Sequence, residues 1–180
     1  RNERPKQCLG INFGKSKITP LQDSTSDYIS SMKLLMPFCD YAAINVSSPN
    51  TEGLRKLQDP KLLRELLQEV KKTPSCPPLF VKIAPDLDLK EIEEICQLIN
   101  DEKIDGIIAT NTSLDRLGLD EIVIKKSGLK LSQESGGISG KPLRLRSNEI
   151  VKHIHKIDKN IILIGVGGID SPESAWERIS

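Results

Sequence analysis

The sequence predicts an α/β fold that forms part of a (β/α)8 (TIM) barrel. Five short apolar runs alternate with segments of helical spacing along the 180 residues. The runs are almost continuous in apolar residues, which is typical of parallel strands buried on both faces. Polar residues or glycines follow every run, whereas a doubly wound sheet concentrates its functional residues at one switch point. Since a barrel has eight strands and typically about 250 residues, we expect about five of the eight βα units in this chain.

The five predicted strands are 8–13, 41–46, 79–83, 106–111 and 161–166. Helical spacing follows each of them, at 28–35, 60–70, 89–100, 142–157 and from 171 onward. The second helix has the clearest start, because Asp59 is suited to cap it and Pro60 to occupy its first turn. One connection, 113–137, is long and lacks strong periodicity, and such loops in compact domains are usually functional.

The composition is that of a globular protein and narrows the function classes. Basic residues number 26 and acidic residues 25, so the net charge of +1 gives no reason to expect nucleic acid as a partner. Aromatic residues are only 3% of the chain, which leaves few platforms for base stacking. No apolar run approaches the roughly 20 residues that span a bilayer. The four cysteines have neither CxxC nor zinc spacing, which favours buried free thiols. His153 and His155 stand two apart on a predicted helix, so they form a poor metal pair and no metal site is predicted.

The loop after the second strand is the most informative stretch for function. Residues 45–51 carry two amides, Asn45 and Asn50, together with three hydroxyls. Amides both donate and accept hydrogen bonds, so they suit a flat heterocycle with alternating N–H and C=O groups. The alternative is an ordinary turn, because serine, proline and asparagine are common in loops.

Lys82 is flanked by apolar residues near the end of the third predicted strand. A buried lysine is costly unless a partner neutralises it. It is therefore suited to form a Schiff base or to meet the negative charge of a ligand. The alternative is a lysine whose ammonium reaches solvent at the rim of the barrel.

Two glycine-rich turns, 136–142 and 165–168, precede predicted helices. Such turns let backbone N–H groups approach a phosphate, and a helix N-terminus adds a favourable dipole. Glycines at strand ends often serve only as turn formers, but barrels tend to bind phosphate in their last two βα loops. The two turns together therefore predict a phosphate site.

Several segments in register resemble the signatures of one known family. They are 45–51 with 53–55, 81–86, 110–112, 136–143 and 165–168. In this order they resemble dihydroorotate dehydrogenases, through essentially the whole chain. The resemblance implies a (β/α)8 barrel that carries FMN, an oxidoreductase that oxidises (S)-dihydroorotate to orotate in de novo pyrimidine (UMP) biosynthesis.

The resemblance also implies roles for individual residues. Ser48 matches the catalytic base, which is serine in the quinone-dependent class and cysteine in the soluble class, so a quinone is the implied electron acceptor. Thr51 matches the hydroxyl that assists this serine, and Lys82 would stabilise negative charge on the reduced flavin. The implied substrate contacts are Asn45, Asn50, Asn111 and Thr112. The implied flavin contacts are Asn12, Asn45, Lys82, Thr110, Gly140 and Gly168.

The resemblance further implies that residues 1–180 are part of one FMN-binding barrel domain. We expect the family's membrane-docking N-terminal extension, its first barrel strands and its last strand to lie outside this chain. The class implies a peripheral location on the cytoplasmic side of a bacterial cell membrane or, alternatively, on the mitochondrial inner membrane. Two other interpretations stay open: a barrel lyase or aldolase that uses Lys82 as a Schiff base, and a non-catalytic truncated product.

Overall fold

The computed structural model describes residues 7–119 and 121–180, which contain five strands, each followed by a helix. The strands are β1 Gly10–Phe13, β2 Tyr41–Asn45, β3 Leu79–Ile83, β4 Gly106–Ala109 and β5 Ile162–Gly165. The helices are α1 Ser24–Leu35, α2 Pro60–Lys71, α3 Leu89–Asp101, α4 Arg144–Ile157 and α5 Pro172–Ile179. The predicted α/β alternation is confirmed, and the strand ends differ from the predicted ones by at most two residues.

The strands form one parallel sheet in the order β1-β2-β3-β4-β5. Each strand therefore pairs with its predecessor in sequence, as successive βα units do in a barrel. In the observed register Asn12 lies beside Ala43, Asn45 beside Lys82, and Lys82 beside Ile108. Paired residues of a parallel sheet point to the same face, so three of the predicted site residues share one face of the sheet.

The helices cover the opposite face and form the main core. Ile44, Val81 and Ile107 are fully buried there, in one cluster with Leu67 of α2 and Ile95 of α3. Burying a side chain of this size contributes about 1.5–3 kcal/mol. This packed layer fixes the strands, and so it fixes the positions from which the strand-end loops depart.

The face that carries Asn12 and Lys82 has a small apolar cluster of its own. It consists of Ala43, Phe80 and Ile108, with Tyr41 and Ile164 packed against them. The rings of Tyr41 and Phe80 meet edge to face, with centroids 5.2 Å apart. Gly10 makes room for this pair, since a Cβ there would lie 2.0 Å from the Tyr41 ring. An interior filled by side chains is typical of β/α barrels.

Local caps fix where the helices begin. The Asp59 carboxylate accepts hydrogen bonds from the backbone N–H groups of Lys61 (3.1 Å) and Leu62 (3.2 Å), and Pro60 stands in the first turn, as predicted. At α4 the structure differs from the prediction, because a 3₁₀ turn over Lys141–Leu143 precedes the helix. The helix then begins at Arg144 rather than at residue 142.

No disulfide joins the four cysteines in the part of the chain that the structure describes, and they are not all buried. Cys39 and Cys96 are buried, whereas Cys8 precedes β1 and is exposed, so that part of the expectation is wrong. In the residues that the structure describes, no group of three or more His, Cys, Asp or Glu side chains is arranged to hold a metal ion. None of the helices in this same part of the chain combines the length and hydropathy that crossing a membrane requires.

Candidate active site

Asn45, at the end of β2, is the centre of a hydrogen-bond network that joins three strand ends. Its side-chain oxygen accepts from the amide of Asn111, beyond the end of β4, at 3.1 Å. The Ser47 hydroxyl is fully buried and donates to the backbone oxygen of Lys82 at 2.6 Å. Since a hydroxyl has a single proton, its oxygen is left to accept from Asn111 at 3.1 Å. Tyr28 of α1 holds the Asn45 carbonyl at 2.8 Å. The amides of β2 and β4 are therefore fixed across the intervening strand β3.

The loop that follows presents Ser48, Asn50 and Thr51 toward the same end of the sheet. The Ser48 oxygen is half-buried and accepts a hydrogen bond from the backbone N–H of Asn50 at 3.3 Å. The Asn50 side chain is exposed, and the Thr51 side chain forms no hydrogen bond with any described residue. Contact between the Thr51 and Ser48 hydroxyls is therefore not made in the structure, and the assisting role of Thr51 stays a prediction.

The end of the long connection 113–137 closes against this loop. A Cβ on Gly137 would lie 2.0 Å from the Thr112 hydroxyl, and one on Gly136 would lie 3.5 Å from the Asn50 side-chain oxygen. The backbone therefore passes directly over two residues predicted to contact substrate. Only glycine permits so close an approach at Gly137.

Lys82 lies on the inner face, where its side chain lines a cavity of about 190 Å³ together with Asn12, Ile108 and Val166. Burial lowers the pKa of the Lys82 ammonium. Within residues 7–119 and 121–180 no carboxylate or hydrogen-bond acceptor pairs with this ammonium. Asn12 is exposed near the end of β1, and its side chain forms no hydrogen bond with the Asn45 network among the described residues. The cavity therefore brings Asn12 and Lys82 together, beside the amide network.

Beyond the end of β4, Thr110 and Thr112 frame Asn111. Thr110 is buried, and its hydroxyl donates to the Asn111 carbonyl at 3.0 Å. The backbone N–H of Thr112 donates to the Asn111 side-chain oxygen at 2.8 Å. Both ends of the Asn111 amide are thus fixed, which orients its donor toward Asn45. Thr110 supports this arrangement through its hydrogen bond to the Asn111 carbonyl, and Thr112 is half-exposed beside it.

The glycine-rich turns lie next to each other at the other side of the sheet. Gly140 has φ 75° and ψ −152°, and a Cβ there would meet nothing within 4 Å. Gly168 has φ 71°, and its Cβ would lie 2.7 Å from the backbone of Arg144. The Arg144 guanidinium donates to the Gly168 carbonyl at 2.8 Å, and that of Arg178 donates to the Gly167 carbonyl at 2.8 Å. The turn after β5 is therefore fixed through its carbonyls against the start of α4, beside open space at Gly140.

Arg55 and Asp86 join the loops after β2, β3 and β4. The Arg55 guanidinium donates to the carbonyls of Ser47 (3.0 Å) and Thr112 (2.9 Å) and forms an ion pair with Asp86 at 2.6 Å. Sequence reasoning included both residues among the family signatures but gave neither a role. Opposite charges within successive strand-end motifs were the available signal. Ser47 was passed over because a buried and an exposed serine look alike in sequence.

The fold and these residues together define a β/α-barrel protein with a candidate ligand site at the carboxyl ends of its strands, built from amides, hydroxyls, one lysine and two glycine turns. The family model described as "Dihydroorotate dehydrogenase" matches residues 1–180. This chain belongs to the dihydroorotate dehydrogenase family, whose structures are (β/α)8 barrels, and the barrel is incomplete in the chain.

Curated relatives and solved structures agree with this assignment. "Dihydroorotate dehydrogenase (quinone)" of Prochlorococcus marinus (strain MIT 9313) is 54% identical over 179 residues, covering 99% of this chain and 45% of the relative. The protein of the same name from Nostoc punctiforme is 51% identical over 176 residues, covering 96% and 46%. A ligand-free DHODH from Eimeria tenella superposes with a TM-score of 0.82 at 33% identity, covering 99% of this chain and 53% of that one. The chain thus spans about half the length of the curated relatives it matches.

Proposed function

We propose that the full-length protein containing this chain oxidises (S)-dihydroorotate to orotate, with FMN as cofactor and a quinone as electron acceptor. The names of the relatives support the reaction and the acceptor. Ser48 supports the same class, because the resemblance implies cysteine at this position in the soluble class. Residues 1–180 would form part of one FMN-binding barrel domain, and the reaction would belong to pyrimidine biosynthesis.

The observation that carries the proposal is the meeting of Asn45 and Asn111 across β3. The bond between them leaves the Asn45 side-chain nitrogen without a partner among the described residues, so this donor is available to a ligand. A dihydropyrimidine ring has alternating N–H and C=O groups, which is the pattern that amides bind. Asn50 and Thr112 would add contacts from either side of the Gly136–Gly137 backbone.

The chain's residues fit FMN at two places. The open space at Gly140, the adjacent turn at Gly168 and the start of α4 would hold the phosphate, because backbone N–H groups and a helix N-terminus favour an anion. The inner face would hold the ring, with Lys82 and Asn12 at its edge. When bound, FMN supplies a hydride acceptor for the carbon that is oxidised.

Ser48 would take the proton from the neighbouring substrate carbon. Serine is a weak base, so Ser48 would have to pass its own hydroxyl proton to Thr51 as it takes the substrate proton, and its oxygen needs stabilisation while negative charge develops there. The Asn50 N–H already donates to this oxygen and favours that charge. Thr51, whose hydroxyl has no partner among the described residues, would carry the proton onward. The Gly136–Gly137 backbone would exclude water from this place.

Lys82 would supply positive charge beside the ring. Burial lowers the pKa of the Lys82 ammonium. A nearby negative charge would act in the opposite direction and favour the charged form. Its pairing within the sheet with Asn45 would keep this charge close to the substrate amides.

The relatives' quinone acceptor also supports a location at a membrane. We place the docking segment outside the residues described, in an N-terminal extension, and we propose a peripheral position on a bacterial or mitochondrial inner membrane.

A second candidate is a barrel lyase in which Lys82 forms a Schiff base. The lowered pKa of Lys82 favours it, because the neutral amine is the nucleophile. Borohydride trapping of substrate on Lys82 would support this candidate, and a flavin spectrum in the purified protein would count against it. A non-catalytic truncated product would show neither property.

Substitution of Ser48 in the full-length protein tests the proposed function. We expect Ser48→Ala to slow flavin reduction by dihydroorotate at least about 10²-fold, the low end for loss of a positioned base. Ser48→Cys should retain part of the rate, because a thiolate is also a base. Anaerobic stopped-flow at saturating substrate measures the rate, with exposed Ser132→Ala as the matched control. An unchanged rate in Ser48→Ala would remove Ser48 from the mechanism.

A further inference from the structure

We infer that Arg55 is a positioning residue. It fixes the loop after β2, which carries Ser48, relative to the segment after β4, which carries Asn111. It does so through simultaneous contacts with Ser47, Thr112 and Asp86. We call this arrangement the Arg55 clamp. The inference rests on the proposed function, because it assigns Arg55 a role in presenting Ser48 to substrate. Arg55 itself contacts none of the reacting groups.

The Arg55 clamp binds the backbone directly beside the proposed base and beside a proposed substrate amide. The Arg55 Nε donates to the carbonyl of Ser47, which belongs to the peptide group that leads into Ser48. One terminal nitrogen donates to the carbonyl of Thr112, the residue that follows Asn111. A single planar group thus bridges the residue before Ser48 and the residue after Asn111, and Thr112 lies 57 residues beyond Arg55 in the sequence. These bonds oppose movement of one loop relative to the other.

Asp86 connects the clamp to the start of the long connection 113–137. One oxygen of this carboxylate pairs with Arg55 at 2.6 Å. The other accepts from the Ser113 hydroxyl and from the backbone N–H of Leu114 (3.0 Å) and Asp115 (3.4 Å). These three residues begin the long connection 113–137, whose end closes over the site. The clamp therefore also fixes the start of the connection 113–137, which would cover bound substrate.

The exposure and the geometry of these contacts both favour an arginine at this position. The Arg55 and Asp86 side chains are 20% and 26% exposed, so the pair is shielded from much of the screening that weakens surface ion pairs. Three acceptors in different directions require the fixed fork of a guanidinium, because an ammonium presents its donors from one point. Lysine at this position would therefore satisfy at most part of the contact set.

Rate measurements on flavin-loaded full-length protein test the clamp. We expect Arg55→Met to lower the rate constant of flavin reduction about 10- to 100-fold and to raise the half-saturating dihydroorotate concentration, because a displacement of about 1 Å near reacting atoms has effects of this size. Arg55→Lys should recover only part of the rate. Arg64→Met is the control, since Arg64 forms ion pairs with Asp101 and Glu102 at the other end of the sheet.

The rate constant per bound flavin separates positioning from folding. A residue that only stabilised the fold would change the fraction of loaded protein, while each loaded molecule reacted at the wild-type rate. Reduction of the wild-type flavin by dihydroorotate tests the proposed function, and the ratio of variant to wild type tests the clamp. If Arg55→Met fails to fold, Asp86→Asn takes its place in the test. This variant keeps the Arg55 guanidinium and its contacts with both carbonyls, and we expect a several-fold lower rate constant of flavin reduction. Wild-type rates per flavin in Arg55→Met, or in Asp86→Asn where that variant decides, would overturn the inference.

Discussion

The two sides of the candidate site are built in different ways. On the proposed substrate side, the Asn111 amide binds the side chains of Asn45 and Ser47. Arg55 binds the backbone carbonyls of Ser47 and Thr112 and the carboxylate of Asp86, so that three loops are fixed. On the phosphate side, Gly140 and Gly168 contribute backbone, and the surrounding arginines hold the turn by its carbonyls. The difference follows from the ligands that we propose. A ring with distinct donors and acceptors needs side chains of matching pattern, whereas a phosphate needs several N–H groups that converge.

The two sides differ in how much they depend on the rest of a barrel. The side-chain network is complete within β2, β3 and β4, which are central strands of the sheet. The glycine turns follow β4 and β5, and β5 is an edge within the described residues. Phosphate binding should therefore be the more sensitive of the two to what lies beyond the edge.

The largest expected effect concerns the 180-residue chain by itself. We expect it to bind FMN about 10³-fold more weakly, or worse, than the full-length protein and to be inactive. Two or three backbone donors from a further strand would be lost, at about 1.5–3 kcal/mol for each bond to a charged group. An open parallel sheet also leaves unpaired edges that a closed barrel does not have. Fluorescence titration with FMN measures this, and micromolar or tighter binding would show that the described residues suffice.

Three glycines with positive φ sharpen the contrast on the phosphate side. In the full-length protein, Gly168→Ala should weaken FMN binding by about 10²-fold, because its Cβ would meet the Arg144 backbone at 2.7 Å. Gly140→Ala should weaken it about tenfold, since strain of about 1–3 kcal/mol accompanies a Cβ that enters the proposed phosphate space. Gly128→Ala is the control, because φ is 71° there, a Cβ would meet nothing within 4 Å, and Gly128 is not among the proposed FMN contacts.

Equilibrium dialysis of FMN against the three variants measures the loss of FMN affinity in each and so gives their order. Equal losses in Gly128→Ala and Gly140→Ala would mean that backbone strain, and not the phosphate space, accounts for the effect. No loss in Gly168→Ala would contradict the placement of the phosphate at this turn.

The smallest expected effect separates stability from function at Lys82. Burial lowers the pKa of Lys82 below its ordinary value of 10.5, so the charged form destabilises the fold at neutral pH. This cost is present below the folded-state pKa and is relieved as the pH rises through it, because the unfolded chain then binds more protons. Lys82→Met should therefore stabilise the apoprotein at pH 7 by at most about 1 kcal/mol, a limit set by the screening of a half-buried side chain. It should also slow flavin reduction in the holoprotein.

Urea unfolding of the full-length apoprotein at pH 7 and pH 10 measures the first part. The advantage of Lys82→Met should shrink at the higher pH, while Lys125→Met, at an exposed position, should show no such change. A variant that is less stable than the wild type at pH 7 would indicate a partner for Lys82 outside the described residues.

The sequence was most informative where the determinant is local. The strands follow from apolar runs, and the start of α2 follows from Asp59 and Pro60, because a cap depends on residues two or three positions away. The polar residues at the strand ends could also be named, because each of them directly follows an apolar run. They were expected to lie close together, since every parallel strand ends at the same edge of the sheet. The start of α4 was predicted too early, because a 3₁₀ turn and a helix have nearly the same spacing over one turn.

The sequence alone determined that this chain is a βα repeat with amides, hydroxyls and glycines at its strand ends, and its motifs indicated the family. Tertiary structure decided which of those groups meet. Ser47 is buried and Ser48 half-buried because the register of β2 against β3 brings the Ser47 hydroxyl to the Lys82 carbonyl. Arg55 reaches Asp86 and Thr112 because the loops after three adjacent strands converge, at separations of 31 and 57 residues. Such contacts depend on strand order and register, which are properties of the folded sheet and are not encoded in any one segment.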